Sequence, residues 1–201
     1  MKKILFFAAA MIFLGFAANA QNANNEPAIM TNKSVGSLVI GQKMPQAVPD
    51  GAFYDKVVRE EEKSPWGSTS VEYHLYKNNK EIGEVSTFSD DEIKSISITG
   101  PCNVQLENGI KIGMSFKEAL EKSGVIATAT SINGTDFYLE ISYNGVGFFG
   151  TDNMEAHTTK QGKARIRKEL KKHDGESIPV KASDMKNTLK VISMFANGID
   201  R

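Results

Sequence analysis

Apolar and polar residues alternate along several stretches of the chain, as they do in β-strands with one buried face. The clearest stretches are residues 71–76 and 136–143. Asn78-Asn79, Asn133-Gly134 and Asn144-Gly145 separate these stretches from neighbouring apolar runs, and such pairs favour tight hairpin turns. The pattern therefore predicts a mainly antiparallel sheet.

One short motif occurs twice, 72 residues apart. Residues 40–48 (IGQKMPQAV) align without gaps on residues 112–120 (IGMSFKEAL). In the second copy, Ser115 and Glu118 have the spacing of a capping box, which predicts a short helix. The first copy is a poorer helix, because Pro45 suits only a first turn.

Each copy is followed by hairpin-like sequence and ends on a similar strand, residues 93–98 and residues 189–194. We therefore predict an α+β fold of two similar strand–helix–hairpin–strand units, mainly antiparallel sheet with short helices packed on it. The units are residues 34–100 and 101–201 of one domain, and the second carries a basic insertion at about 151–183. Coincidence among short apolar runs is the alternative. One shared sheet and two lobes both fit the pattern.

The N-terminus has the composition of a signal peptide over residues 1–20. Lys2-Lys3 precedes an apolar run that ends in Ala18-Asn19-Ala20, a small-x-small cleavage site. A buried N-terminal helix is the alternative. Residues 21–33 are polar and predict a tether. No cysteine lies at the cleavage site to accept a lipid, and no later run has membrane-helix length. We expect an exported, soluble protein, periplasmic or extracellular, without a lipid anchor or transmembrane segment.

The charge balance argues against nucleic acid as a partner. The chain has 24 basic and 24 acidic residues, and removal of residues 1–20 leaves a formal charge of −2. The single cysteine, Cys102, excludes an intrachain disulfide and a cysteine-based metal cluster.

Five segments carry a family resemblance: Val35–Leu38, 93–98, 109–116, 141–143 and 189–194. In this order, over residues 35–201, they resemble an RpoE-regulated (envelope-stress) lipoprotein family of unknown function. That family has a lipid-acceptor cysteine at the cleavage site, which this chain lacks, so membrane anchoring is not implied.

A weaker resemblance concerns residues 113–119 (GMSFKEA). They are similar to the repeat unit of small outer-membrane assembly lipoproteins and of secreted β-lactamase-inhibitor proteins. Those proteins are binding modules, so the resemblance implies a binding role and no catalytic residue.

Candidate catalytic and metal-binding chemistry is sparse. His74, His157 and His173 lack metal-ligand spacing, and no metal or cofactor is expected. Cys102 follows a Gly-Pro turn and is best interpreted as a buried thiol. Ser183 and Lys186 match an S-x-x-K motif without its companion motifs, which favours a helical cap over a nucleophile. No catalytic residue is assigned.

Two features favour binding. Residues 160–173 carry seven basic residues and one glutamate, which predicts an electrostatic contact surface or, alternatively, a solvated helix on the protein's own acidic surface. Trp66, the single tryptophan, stands between Pro65 and Gly67, and predicts a partner contact or a ring folded into the core. The binding candidates are Trp66, Lys163, Arg165, Arg167, Lys168, Lys171 and Lys172.

The sequence as a whole indicates an exported non-enzymatic envelope protein. We expect a binding, accessory or inhibitor-like module for another protein or an anionic cell-envelope polymer, of unknown identity. One alternative is a hydrolase with its site between the two units, which requires Cys102 or Ser183 beside a histidine or lysine. The other is a small-ligand or lipid carrier, which requires a sizeable apolar cavity.

Overall fold

The computed structural model describes residues 26–63, 69–88, 90–132, 136–150, 157–173, 176–188 and 190–197. Within these ranges strands dominate, and two α-helices pack beside them: α1 (Phe116–Leu120) and α2 (Lys160–Lys172). The predicted signal peptide lies outside the described residues. The coarse prediction of an α+β fold with mainly antiparallel strands is confirmed.

The strands form a small and a large sheet. The small sheet contains β1 (Ala28–Met30), β2 (Ser34–Val35), β3 (Leu38–Val39) and β8 (Val104–Leu106), in the order β3-β2-β1-β8. The large sheet contains β4 (Lys56–Lys63), β5 (Thr69–Lys77), β6 (Lys80–Thr87), β7 (Ile93–Ile98), β9 (Val125–Ser131), β10 (Phe137–Tyr143), β11 (Val146–Phe149), β12 (Ile178–Pro179) and β13 (Ser193–Asn197). Its order is β12-β9-β10-β11-β13-β7-β6-β5-β4, and every pairing is antiparallel.

Two of the predicted hairpin turns lie in the described residues. Asn78 and Asn79 have φ angles of 51° and 60° between β5 and β6, and Asn144 and Gly145 have 46° and 79° between β10 and β11. Two successive positive φ angles give the twist that suits a two-residue hairpin. The Asn133-Gly134 turn lies outside the described residues.

The two halves of the chain meet at the centre of the large sheet, where β7 pairs with β13. Ser97 lies opposite Phe195, and Ile96 and Ile98 lie opposite Ala196 and Met194. All the strands on the β7 side come from the first half, and all those on the β13 side come from the second. The halves therefore share one continuous sheet, a question that the sequence left open.

The two copies of the I-G motif make matching backbone hydrogen bonds. The amide of Gly41 donates to the carbonyl of Ile93, and the amide of Ile93 donates to Gln42, both at 2.8 Å. In the second copy Gly113 donates to Val191 at 2.8 Å, and Val191 donates to Met114 at 2.9 Å. Both glycines have left-handed φ angles, 83° and 89°, that a residue with a Cβ adopts at a cost.

The chain after the motif differs between the copies. In the second copy the predicted helix is α1, Phe116–Leu120, and its N-cap Ser115 makes both bonds of the capping box with Glu118. Residues 42–55 form turns and no helix, so the strand–helix–hairpin–strand prediction is wrong for the first unit. Pro45 and Pro49 explain this, because each lacks the amide that a helix interior needs.

Two strand predictions also need correction. Residues 28–30 of the predicted tether form β1, whose Met30 side chain is buried in the core. The alternation of Ile110, Lys111 and Ile112 predicts the opening strand of the second unit, but these residues are irregular in the structure.

A single apolar core lies on one face of the large sheet. Phe148 of β11 and Phe116 of α1 are fully buried, with ring centroids 6.0 Å apart. Ile166 and Leu170 of α2 and Leu38 of the small sheet belong to the same core. The opposite face of the sheet is open, and side chains such as Ile126 remain 63% exposed there.

No helix of the described residues has both the length and the apolar composition needed to cross a membrane.

Candidate functional site

Helix α2 carries six of the seven predicted binding residues. Its first turn is capped by Thr159, whose side-chain oxygen accepts the amide of Gly162 at 2.9 Å. Ile166 and Leu170 are buried, so the helix is ordered against the sheet and presents its basic residues on the remaining surface. The insertion predicted at about 151–183 is thus ordered at least over α2. Trp66 lies outside the described residues.

Three of the six basic residues pair with carboxylates of the protein itself. Arg165 binds Asp184, Arg167 lies 3.4 Å from Asp136, and Lys172 lies 2.8 Å from Glu169. Lys163 is half-buried and engaged with neighbouring groups. Lys168 and Lys171 are exposed, as is Lys160 at the start of the helix, and none of the three makes an ion pair within 4 Å in the described part of the chain. The helix is therefore partly neutralised internally, and one lysine row faces solvent.

A cleft of about 360 Å³ lies between α2 and β12, at the edge of the large sheet. Its lining combines two cations, one carboxylate, one imidazole and two apolar side chains: Arg165, Glu169, His173, Ile178, Pro179 and Lys181. This volume lies at the lower end of the range for ligand pockets, roughly 300–1,000 Å³. Sequence reasoning found Arg165 alone among these residues. Glu169 and His173 follow it at helical spacing on α2, whereas Ile178 and Pro179 reach the cleft only when β12 pairs with β9.

A buried carboxylate, Asp184, organises the cleft. It is 3% exposed and lies in a 3-10 turn, Ala182–Asp184. Its carboxylate accepts Nε of Arg165 at 2.9 Å, Nη2 of the same residue, and the backbone amide of Lys181 at 2.8 Å. A buried carboxylate needs such partners, since an unpaired one is very costly.

The bidentate pair sets the orientation of Arg165. Its Nη2 also donates to the carbonyl of Pro179 at 3.1 Å, and the hydrogen bond to Asp184 raises the pKa of the guanidinium. Arg165 is thus held by three contacts to its own chain, and the Nη1 donors have no hydrogen-bond partner among the described residues.

Gly162 allows α2 to approach the 3-10 turn. A Cβ atom at this position would meet the carbonyl oxygen, Cα and carbonyl carbon of Asp184, well inside normal contact distance. The amide of Thr159 donates to the same Asp184 carbonyl at 2.7 Å. A glycine inside a helix usually costs stability, and here it allows the backbone contact that positions the cleft.

The candidate nucleophiles do not come together with a base. Burial raises the pKa of the Cys102 thiol to about 11, although a backbone hydrogen bond from Val104 lowers it. Such a thiol is protonated at neutral pH and is a poor nucleophile. Ser183 is exposed in the 3-10 turn, and its hydroxyl makes no hydrogen bond to a histidine or lysine of the described residues. The hydrolase alternative therefore gains no support from either residue.

The three histidines also lie apart. His157 is near Thr188, His173 is at the end of α2, and His74 is on β5. Among the described residues, no group of three or more histidine, cysteine or acidic side chains has the geometry of a metal site.

His74 occupies a more specific environment than a solvated sheet surface. Its Nδ1 lies 2.9 Å from Glu81 of β6, and its Nε2 lies 3.5 Å from Glu60 of β4. The hydrogen bond with Glu81 raises the pKa of the imidazole, desolvation lowers it, and the charges of Glu81, Glu60 and Glu84 raise it further. The sequence contains no local signal for this cluster, because strand register alone brings the glutamates to His74.

The fold of this chain is similar to that of a protein of known structure. The chain is similar to the uncharacterized protein YfeY from Escherichia coli. The crystal structure of YfeY superposes with a TM-score of 0.50 at 12% sequence identity, and the match covers 84% of this chain and 99% of YfeY. No protein-family model matches the chain, and no curated protein does. The likeness to YfeY concerns the fold alone.

Proposed function

We propose that this protein is an exported, non-enzymatic component of the cell envelope that binds another protein or an anionic envelope polymer. Export rests on the leader-like residues 1–20. The binding role rests chiefly on one observation: α2 is held against the sheet, while Lys160, Lys168 and Lys171 face solvent on a different side of the helix from the cleft. A row of cations on an ordered helix attracts an anionic surface, and binding then avoids the entropy cost of ordering a flexible backbone segment.

The resemblances from the sequence support the same role. The motifs shared with the RpoE-regulated lipoprotein family suggest an envelope protein, and those shared with inhibitor and assembly modules suggest binding. We also propose that the chain belongs to the RpoE-regulated lipoprotein family.

A two-unit organisation is a further part of the proposal. It is supported by the matching hydrogen bonds of Gly41 and Gly113 and by the order of strands on either side of β7 and β13. Ile93 and Val191 are 98 residues apart, and so are the facing residues Ser97 and Phe195. A local two-fold axis through the Ser97–Phe195 pair would relate the two sets of strands.

The lipid-carrier alternative is less well supported. The cleft between α2 and β12 is lined by Arg165, Glu169, His173 and Lys181, so it is not the apolar cavity that a lipid tail requires.

Binding to isolated cell-envelope material tests the proposed function. We expect the triple variant Lys160→Glu, Lys168→Glu, Lys171→Glu to sediment with envelopes at least tenfold less than the unmodified protein. Binding of the unmodified protein should decline as salt is raised, because screening weakens exposed charges.

A matched control separates position from net charge. Lys33, Lys80 and Lys111 are exposed lysines outside α2, and their substitution by glutamate changes the net charge equally. Retained binding by this control, with loss in the α2 variant, supports the proposal. Equal loss of binding in both variants, or no loss in either variant, contradicts the role of α2.

A further inference from the structure

The cleft beside α2 contains an arginine, Arg165, whose orientation is fixed by hydrogen bonds that use only some of its N–H donors. Nε and Nη2 of Arg165 are engaged by Asp184 and by the carbonyl of Pro179, while Nη1 has no partner among the described residues. Arg165 lines the cleft, so Nη1 is the part of the guanidinium left for a ligand. An arginine fixed in this way loses little side-chain entropy when it binds an anion.

Lys181 supplies a second cation at the same cleft. Asp184 accepts its backbone amide at 2.8 Å, so one buried carboxylate positions both cationic residues. The ammonium group of Lys181 makes no ion pair within 4 Å in the part of the chain that the structure describes. Two cationic groups therefore remain for a ligand. The guanidinium of Arg165 is held rigidly, and the ammonium of Lys181 is at the end of a flexible side chain.

A carboxylate one helical turn after Arg165 limits the charge of the ligand. Glu169 lines the cleft, and the hydrogen bond from Lys172 at 2.8 Å lowers the pKa of its carboxyl and keeps it ionised. The C-terminal end of α2 adds negative partial charge on the same side. We expect this negative charge to disfavour a doubly charged anion such as phosphate more than a single carboxylate, and Glu169 offers an acceptor for a ligand N–H.

The imidazole of His173 and two apolar side chains complete the lining. Ile178 and Pro179 of β12 line the cleft next to the cations. Small-ligand sites combine an apolar surface of this kind with a few convergent polar groups. The arrangement suits a ligand in which one carboxylate and one apolar side chain are close together.

We propose that this cleft binds the free C-terminal carboxylate of a peptide whose last side chain is apolar. The carboxylate lies at Nη1 of Arg165 and the ammonium of Lys181, the apolar side chain lies on Ile178 and Pro179, and Glu169 accepts a peptide N–H. This inference rests on the proposed binding function and names the chemistry that the cleft recognises. The same chemistry occurs in a free amino acid.

Chemical-shift mapping of the full-length protein by NMR tests the proposal. The probes are N-acetyl-glycyl-leucine, its C-terminal amide, free leucine and inorganic phosphate. We expect saturable shifts at the amides of residues 165–173 and of Ile178, Val180 and Lys181 with the acetylated peptide and none with its amide. Binding of the peptide but not of leucine assigns the cleft to peptide ends, and stronger binding of leucine overturns that assignment.

Substitutions locate the site without disturbing the buried Asp184. Lys181→Ala should weaken peptide binding roughly three- to tenfold, the effect of one charged hydrogen bond at a partly exposed site. Lys111→Ala, at an exposed lysine outside α2 and outside the cleft, should leave it unchanged. Circular dichroism checks that both variants are folded.

Three results would overturn the proposal: equal binding of the amide, tighter binding of phosphate than of peptide, or no shift in the cleft. None of them depends on the solvent-facing lysines of α2, which carry the envelope test. Loss of envelope binding in the α2 triple variant with intact peptide shifts would separate the two functions. Peptide shifts without any envelope binding would contradict the proposed function alone.

Discussion

His74 lies between carboxylates that belong to the strands on either side of its own. Glu81 is 2.9 Å from Nδ1 and Glu60 is 3.5 Å from Nε2, while the His74 side chain is 18% exposed. The pKa of this histidine is raised, chiefly by the hydrogen bond to Glu81. Protonated His74 therefore links three neighbouring strands electrostatically.

A raised pKa in the folded state has a defined effect on stability. The contribution of His74 is fully present below the pKa of an unfolded histidine, about 6.5, and is lost as the pH rises through the higher folded value. We expect His74→Gln to lower the free energy of unfolding by about 0.5–1 kcal/mol at acidic pH and by less at alkaline pH. Urea unfolding at a series of pH values measures this difference.

Glu81→Gln is the matched variant for this prediction. It should remove most of the difference between His74→Gln and its parent, because it removes the main cause of the pKa shift. A difference that is the same at all pH values, or that grows at alkaline pH, would show that the imidazole is not stabilised as a cation.

At the scale of elements, the approach of α2 to the 3-10 turn depends on one glycine. A Cβ at Gly162 would lie 2.6 Å from the Cα atom of Asp184, a distance at which real Cβ atoms essentially never lie. The turn cannot retreat easily, because Asp184 is also bound to Arg165 and to the amide of Lys181.

We predict that Gly162→Ala destabilises the protein. At an exposed position in a helix, replacing glycine by alanine would raise the free energy of unfolding by roughly 1 kcal/mol, because alanine has the higher helix propensity. Here we expect the free energy of unfolding to fall, because α2 must move away from Asp184. Thermal unfolding measures the effect, and Ala164→Gly, at an exposed position of the same helix, calibrates propensity alone. A more stable Gly162→Ala variant would mean that the helix and the turn are not in close contact.

At the scale of the molecule, the central β7–β13 pair joins both halves into one sheet above one core. Ile96 and Ile98 of the first half and Met194 and Ala196 of the second are buried together. Separation of the halves would expose these side chains and leave two strand edges unpaired, which is unfavourable in water.

We therefore predict that both halves unfold in a single transition. Amides in β5 and β6 should exchange with solvent at the same denaturant concentration as amides in β9 and β10, and circular dichroism should give the same midpoint. Hydrogen exchange across a urea series measures this. Two separated midpoints would indicate halves that are stable on their own.

The features that the sequence determined by itself depend on interactions between residues that are close together in the chain. The turns at Asn78-Asn79 and Asn144-Gly145 and the capping box of Ser115 follow from residues within a few positions of one another, and each is present in the structure. The antiparallel character of the sheet follows from the alternation between those turns. The basic face of α2 was likewise visible as a run of charged residues.

Contacts between distant residues decided the rest. Pairing of β7 with β13 placed the halves in one sheet, the register of β4, β5 and β6 brought glutamates to His74, and Asp184 met Arg165 from 19 residues away. Such contacts depend on register and packing, which are set by the total burial of the core and not by any short pattern. The basic residues of α2 could therefore be recognised in the sequence, but the cleft between α2 and β12 forms only when the chain folds.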